Sequence, residues 1–252
     1  MLRVRIIPVL LLRNQGLVKT VKFDKAKYIG DPINAVKLFN DKGVDELAFM
    51  DIDASKEGKK PDFELIEKFA SECFMPLAYG GGISTIRDVK RLFAIGVEKV
   101  IINTVSLSNL ALVSEAADIF GDQSIVVAID VKKNIWGKPQ VYSHAKKKPD
   151  ISDVVEYAKA AERAGAGELI LTSVDHDGMM NGYDLSTISK VSEAIKIPLV
   201  ACGGAGNLEH LKEAHSAGAT ALAAGSLFVY HGPLKGVLIN FPSSEKMASL
   251  FG

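Results

Sequence analysis

Five aspartates stand at or just beyond the ends of apolar runs. There a carboxylate loses hydration, and its pKa climbs toward values useful for acid–base work. Asp130 ends "VVAID" with four apolar residues ahead of it, Asp51 and Asp53 follow "ELAFM", and Asp175 and Asp177 follow "ELILTSV". Asp130 is the cleanest catalytic candidate, although an acid at that place also serves to cap the N–H groups of the next loop. A proton relay normally needs a second group, one side accepting while the other donates.

Glycine clusters suggest a second chemistry, the holding of phosphate by backbone N–H groups. "CGGAGN" brings Gly203, Gly204 and Gly206 together, and "AAGSLF" adds Gly225 and the Ser226 hydroxyl. A matching set is formed by Gly80, Gly81 and Gly82 with Asn103 and Thr104. Each set taken alone is also what ordinary turns contain. A third feature is charge at the beginning of apolar runs: Arg5, Glu46, Lys99 and Glu168. Inward-pointing side chains there form a ring of two cations and two anions; outward-pointing ones are plain surface charge. His144 and His176 lie in polar segments and titrate near neutral pH if they face a ligand. No Cys/His spacing suggests a metal, no cofactor motif is present, and the serines near glycine lack a nucleophile-elbow pattern.

The elements that must position these residues alternate along the chain. Strands are expected at "VRIIPVLLL", "ELAFMDI", "PLAYG", "KVIINT", "SIVVAIDV", "ELILTSV", "PLVACGG" and "ALAAGS". Helical periodicity covers Pro32–Lys42, Phe63–Glu72, Ile86–Ile95, Asn109–Phe120, Ile151–Ala164, Leu185–Ala194 and Asn207–Ala217. Strands apolar on both faces belong to a parallel sheet covered by helices. The expected fold is α/β, a (β/α)8 TIM barrel in one domain over residues 1–252. An internal repeat sharpens this. "KGVDELAFMDID" from Lys42 matches "AGAGELILTSVD" from Ala164, "PLAYGGG" from Pro76 matches "PLVACGG" from Pro198, and "INT" from Ile102 falls on "AGS" from Ala224, all at an offset of 122 residues. Two duplicated half-barrels, about 1–122 and 123–252, are expected. The glycine sets then face each other across the barrel mouth, as cradles for a phosphorylated small molecule with a phosphate at each end.

The same symmetry places the partner of Asp130 at the end of the first strand, in "RIIPVLLLRNQG". That position is Leu11, which cannot move a proton. "HDGMMNGYD", His176 to Asp184, reads as a loop that closes over ligand, with Met179 and Met180 as an apolar tip. "PLKGVLINF" reads as the last helix, and "SSEKMASLFG" as a mobile tail.

Composition narrows the function classes. The 252 residues are 48% hydrophobic and 24% charged, with 30 basic against 30 acidic side chains, so charge gives no reason to expect nucleic acid or an anionic membrane as partner. Lys146, Lys147 and Lys148 form either a solvated loop or one that attracts phosphate. Two cysteines, Cys73 and Cys202, fit a reducing cytoplasm better than a disulfide framework. Arg3, Arg5, Arg13 and Lys19 interrupt any N-terminal apolar run, and no stretch approaches the length of a membrane span.

The motifs together resemble the cyclase subunit of imidazole glycerol phosphate synthase over nearly the whole chain. They are "RIIP" at Arg5, "GDP" at Gly30, "DELAFMDIDAS" at Asp45, "GGGI" at Gly80, "INT" at Ile102, "VVAID" at Val126, "GAGELILTS" at Gly165, "DHDGMMNGYD" at Asp175 and "GGAG" at Gly203. The sister phosphoribosyl isomerase shares the repeat, but Gly182-Tyr183-Asp184 and the Gly-Gly-Ala-Gly run favour the cyclase. The resemblance implies a HisH-like glutaminase subunit docked on the N-terminal face of the barrel. Ammonia then passes a gate at Arg5, Glu46, Lys99 and Glu168 and reaches a bisphosphate at the mouth. It also implies ligand binding by Lys19, Gly81, Gly82, Asn103, Thr104, Asp177, Gly178, Gly203, Gly204, Gly225 and Ser226, with Asp130 as the retained catalytic aspartate.

The chain departs from that family where the chemistry lies. Leu11 replaces the strand-1 aspartate, Asp53 a threonine, Ala145 and Cys202 serines, and "DHDGM" stands for "DRDGT". This combination resembles paralogues associated with sugar amidation in bacterial surface-polysaccharide synthesis, in which the barrel supplies ammonia to a separate amidotransferase. Three other readings stay open: a working cyclase in which Asp177 or Asp51 replaces the lost acid, a barrel that only activates its glutaminase, and a phosphosugar isomerase.

Overall fold

The computed structural model describes residues 4–252; Arg3 lies outside them. Eight strands run parallel: β1 (Arg5–Arg13), β2 (Leu47–Asp51), β3 (Leu77–Gly80), β4 (Lys99–Ile102), β5 (Ile125–Lys133), β6 (Glu168–Ser173), β7 (Leu199–Cys202) and β8 (Ala221–Ala224). Each pairs with the next, and β8 returns to β1 through Arg5↔Ala221 to Pro8↔Ala224, so the sheet closes as a barrel. Seven helices alternate with the strands: α1 (Pro32–Lys42), α2 (Phe63–Ala70), α3 (Ile86–Ala94), α4 (Ala111–Phe120), α5 (Val154–Arg163), α6 (Leu185–Ser192) and α7 (Leu208–Ser216). The architecture is the (β/α)8 barrel expected from the alternation.

Local chemistry explains where most helices start. Asp31, Asp62, Thr85, Asp153, Asp184 and Asn207 each accept a first-turn backbone N–H, which satisfies a donor the helix itself cannot pair. Before β2 and β6 the same connection recurs: the Leu47 N–H donates to the Pro76 carbonyl at 2.9 Å and the Leu169 N–H to the Pro198 carbonyl at 3.0 Å. These two bonds are 122 residues apart, the offset of the sequence repeat.

The core has two shells because strand side chains alternate sides. Ile6, Leu10, Phe49, Val100, Val127, Ile129 and Leu171 face the helices. Ile7, Val9, Ala48, Ala78, Ile101, Val126, Ala128, Ile170, Val200, Ala221 and Ala223 fill the barrel interior.

Two elements differ from expectation. β1 and β5 are each extended by an antiparallel pair, Gly16–Val21 with Asp24–Gly30 and Pro139–Ser143 with Lys148–Ile151. At the C-terminus the expected helix and tail are exchanged. Pro233–Phe241 holds only a turn and a two-residue strand, whereas Ser244–Phe251 is helical. After α8 (Ser226–Val229), this α9 (Ser244–Phe251) starts at a Ser243 cap and buries Met247. Its apolar residues, Met247, Leu250 and Phe251, are spaced as one helical face, while Gly236 interrupts the earlier stretch.

Candidate functional site

Period-2 alternation carries the inner rows from one end of the barrel to the other. On β1 the row is Arg5, Ile7, Val9, Leu11; β2 continues from Glu46 through Ala48 to Met50; β4 runs from Lys99 through Ile101 to Asn103. β5 gives Val126, Ala128, Asp130, and β6 gives Glu168, Ile170, Thr172. The charged residues therefore stand at the N-terminal end. Leu11, Met50, Asn103, Asp130, Thr172 and Cys202 line a cavity at the C-terminal mouth.

Asp130 is buried, 9% exposed, and its Oδ2 accepts the Asn103 Nδ2–H at 2.9 Å. Burial pushes its carboxyl up to about 7; the Asn103 bond favours the charged form and Asp177 disfavours it. Leu11 reaches the same cavity and packs on the inner shell, so β1 brings hydrocarbon where β5 brings an acid. Lys19 is 5% exposed and donates from Nζ to the Val9 carbonyl at 2.6 Å. Burial brings its ammonium down to about 8, with Asp177 opposing. Asp177 itself accepts the Thr20 hydroxyl at 2.7 Å and the Phe23 N–H at 3.2 Å, while burial raises its carboxyl. The first hairpin thus leans across the mouth onto the loop after β6.

Both glycine sets border this cavity: Gly80, Gly81, Gly82, Asn103 and Thr104 on one side, and Gly203, Gly204, Gly225 and Ser226 on the other, with Gly178 nearby. Gly81 has φ +118°, and a Cβ there would stand 2.5 Å from the Asp51 carbonyl oxygen, so only glycine fits. At Gly225 a side chain would collide with Lys19 Nζ. Gly206 falls outside the cavity wall, as do Lys146, Lys147 and Lys148; Lys146 pairs with Asp150 at 3.0 Å. Among the other sequence candidates, Asp51 lines the mouth but accepts the Asp53 and Ala54 N–H groups at 3.1 and 3.0 Å. Asp53 is held by Arg13 through bonds of 2.5 and 3.0 Å, and Asp175 accepts the Lys133 N–H at 2.8 Å. His176 shares a 2.6 Å bond with the Gly182 carbonyl and leaves the wall, whereas His144 belongs to it. Met50, Ser55, Lys56 and Thr172 also line the cavity, beyond the residues expected from the sequence. Parity along β2 and β6 could have found Met50 and Thr172. Cys202 also lines the mouth; burial pushes its thiol up to about 12, so it stays protonated.

At the opposite end the four charges form a closed ring. Arg5 Nη1 donates to Glu46 at 2.6 Å and Nη2 to Glu168, and Lys99 Nζ donates to each glutamate at 2.8 Å. Both glutamates are 4% exposed. Burial works against the Arg5 charge, but the bonds to Glu168 and Glu46 outweigh it and hold the guanidinium above its ordinary range.

Among the described residues no helix is long and apolar enough to cross a membrane. The family model described as "Histidine biosynthesis protein" matches residues 5–235. A Pseudomonas aeruginosa protein named "Putative imidazole glycerol phosphate synthase subunit hisF2" is 47% identical over 248 residues, covering 98% of this chain and 99% of its own. One from Vibrio vulnificus, "Putative imidazole glycerol phosphate synthase subunit hisF3", is 48% identical over 253 residues, 99% of this chain and 97% of its own. A Leptospira borgpetersenii protein, "Putative imidazole glycerol phosphate synthase subunit HisF", is 47% identical with full coverage of both chains, 100% each. The chain belongs to the histidine biosynthesis protein family and, within it, to the HisF-like cyclase subunits of imidazole glycerol phosphate synthase.

Proposed function

We propose that this chain is a HisF-like barrel that receives ammonia from a HisH-like glutaminase on its N-terminal face and passes it through the barrel, for amidation of a nucleotide sugar in surface-polysaccharide synthesis. A separate amidotransferase then performs the transfer. The observation that carries this reading is a contrast between the two ends. The Arg5–Glu46–Lys99–Glu168 ring is complete, yet the mouth has Leu11 opposite Asp130, so the two-acid relay lacks one member. Loss of one general acid–base group reduces a rate by about 10²–10⁴-fold. In this role Arg5, Glu46, Lys99 and Glu168 act as the ammonia gate. Lys19, Asp177, Gly178 and the two glycine sets hold a phosphorylated small molecule.

A second reading, a working cyclase of histidine biosynthesis, is favoured by Asp177. This carboxyl lines the mouth, is pushed up by burial and stands close to Lys19, as a substitute acid would. The two readings separate in one assay: cyclase turnover of the purified chain with excess ammonium salt and the family's bisphosphate substrate, beside Leu11→Asp. Ammonia supply predicts no turnover in the native chain and a gain in the variant of about 10²-fold or more. Efficient turnover by the native chain would overturn it in favour of the cyclase.

A further inference from the structure

Among the described residues, His144 Nε2 is the one buried side-chain nitrogen or oxygen without a hydrogen-bond partner. Buried polar atoms are normally paired, and an unpaired one beside a cavity is where a ligand can complete the bond. His144 forms part of the mouth wall, and the Phe23 ring closes on the imidazole edge-on, with centroids 5.6 Å apart. Phe23 and Lys22 make the hairpin tip with left-handed φ of +61° and +53°. The loop after β2 supplies further groups to the same wall. Ser55 Oγ accepts the Gly82 N–H at 3.1 Å, which leaves the hydroxyl proton to donate. Lys56 lines the cavity and is absent from the ion pairs found among the described residues.

We propose that Ser55, Lys56 and His144 form an anion subsite that adjoins the Gly81–Gly82 cradle and takes a phosphoryl group of the ligand. The hydroxyl, ammonium and imidazole supply three donor groups from two loops, and the arrangement does not depend on whether ammonia passes through the barrel. Lys56 and Asp53 face the imidazole from the loop after β2, Arg13 from the end of β1, and Lys147 from its own hairpin. Burial and then Lys56 are the main influences holding the imidazole below its ordinary range, so it is neutral at pH 7. A bound phosphoryl group reverses part of this, because a nearby anion favours the imidazolium.

The test is NMR titration of the histidine ring Cε1–H resonances in the full chain, with and without inorganic phosphate, using His144→Gln to identify the signal. The His144 midpoint should lie below the ordinary value of about 6.5 and move up when phosphate is added. Lys56→Met should raise the phosphate-free midpoint and shrink the phosphate response. A His144 midpoint that ignores saturating phosphate overturns the subsite, whether or not other resonances show phosphate on the glycine cradles. Failure of the ammonia reading would leave this measurement unaffected.

Discussion

Asp130 owes its altered acidity to its place on the inner row of β5, where four apolar residues lead into the mouth. Protonation of a group whose folded pKa is about 7, against 3.8 when free, contributes stability that is fully present below pH 3.8 and lost as pH rises through 7. Between those limits the folded chain binds more protons than the unfolded chain, so stability falls with pH at up to about 1.4 kcal/mol per unit for this one group. Asp130→Asn keeps an acceptor for the Asn103 amide and removes that slope. Urea denaturation from pH 4 to 8 should therefore give a flatter stability curve in the variant. Parallel curves would mean that Asp130 ionises normally. The positions of Asp130 and Leu11 were legible because strand parity is a two-residue rule. The anion subsite around Lys56 and His144 was not, because the loops that form it have no period. The Arg13–Asp53 pair was hidden for the same reason: the fold, rather than sequence spacing, brings the two together.

Elements place the glycine cradles as firmly as the strands do. The segment Gly80–Gly82 leads into α3, whose first turn is fixed by a capping box: Thr85 accepts the Asp88 N–H and Asp88 accepts the Thr85 N–H. Asp88 also accepts the Ser84 N–H and pairs with Lys60 at 2.7 Å, tying the loop after β2 to the start of α3. Burial disfavours the Asp88 charge, yet Lys60 and the loop N–H groups hold its carboxyl below the usual range. Thr85→Ala should cost about 1 kcal/mol, read as a lower urea midpoint with an unchanged m-value; no shift would show that Asp88 caps the helix alone. Helices with such caps were legible because apolar period and start signal coincide. Of the antiparallel extensions, Asp24–Gly30 is illegible in the sequence because it is largely exposed and has no buried face to impose alternation. The last helix was misplaced because its apolar face is only three residues, while the Pro-Leu-Lys stretch before it is richer in apolar side chains but broken by Gly236.

At the scale of the whole molecule the ring and the mouth occupy opposite ends of one tube, and what lies between them decides whether they communicate. That interior is unusually fine-grained: Ala48, Ala78, Ala128, Ala221 and Ala223 supply five of its positions, where bulky branched residues ordinarily fill a barrel. If the proposed ammonia route runs along this row, a larger side chain there closes it, which makes the route testable at two levels. Lys99→Met leaves Arg5 as the remaining cation on both buried glutamates, at a cost of about 2 kcal/mol, and should alter coupling at the entrance. Ala48→Leu, one inner step beyond the ring, leaves the charges intact and overpacks the tube at about 1–3 kcal/mol. With the proposed glutaminase bound, transfer of nitrogen from amide-labelled glutamine to the proposed nucleotide-sugar acceptor should fall several-fold in both variants. Transfer from added ammonium salt, which reaches the mouth from solution, should persist. Equal loss from both nitrogen sources would trace the defect to folding, and unchanged transfer from glutamine in folded Ala48→Leu would place the ammonia route outside the barrel.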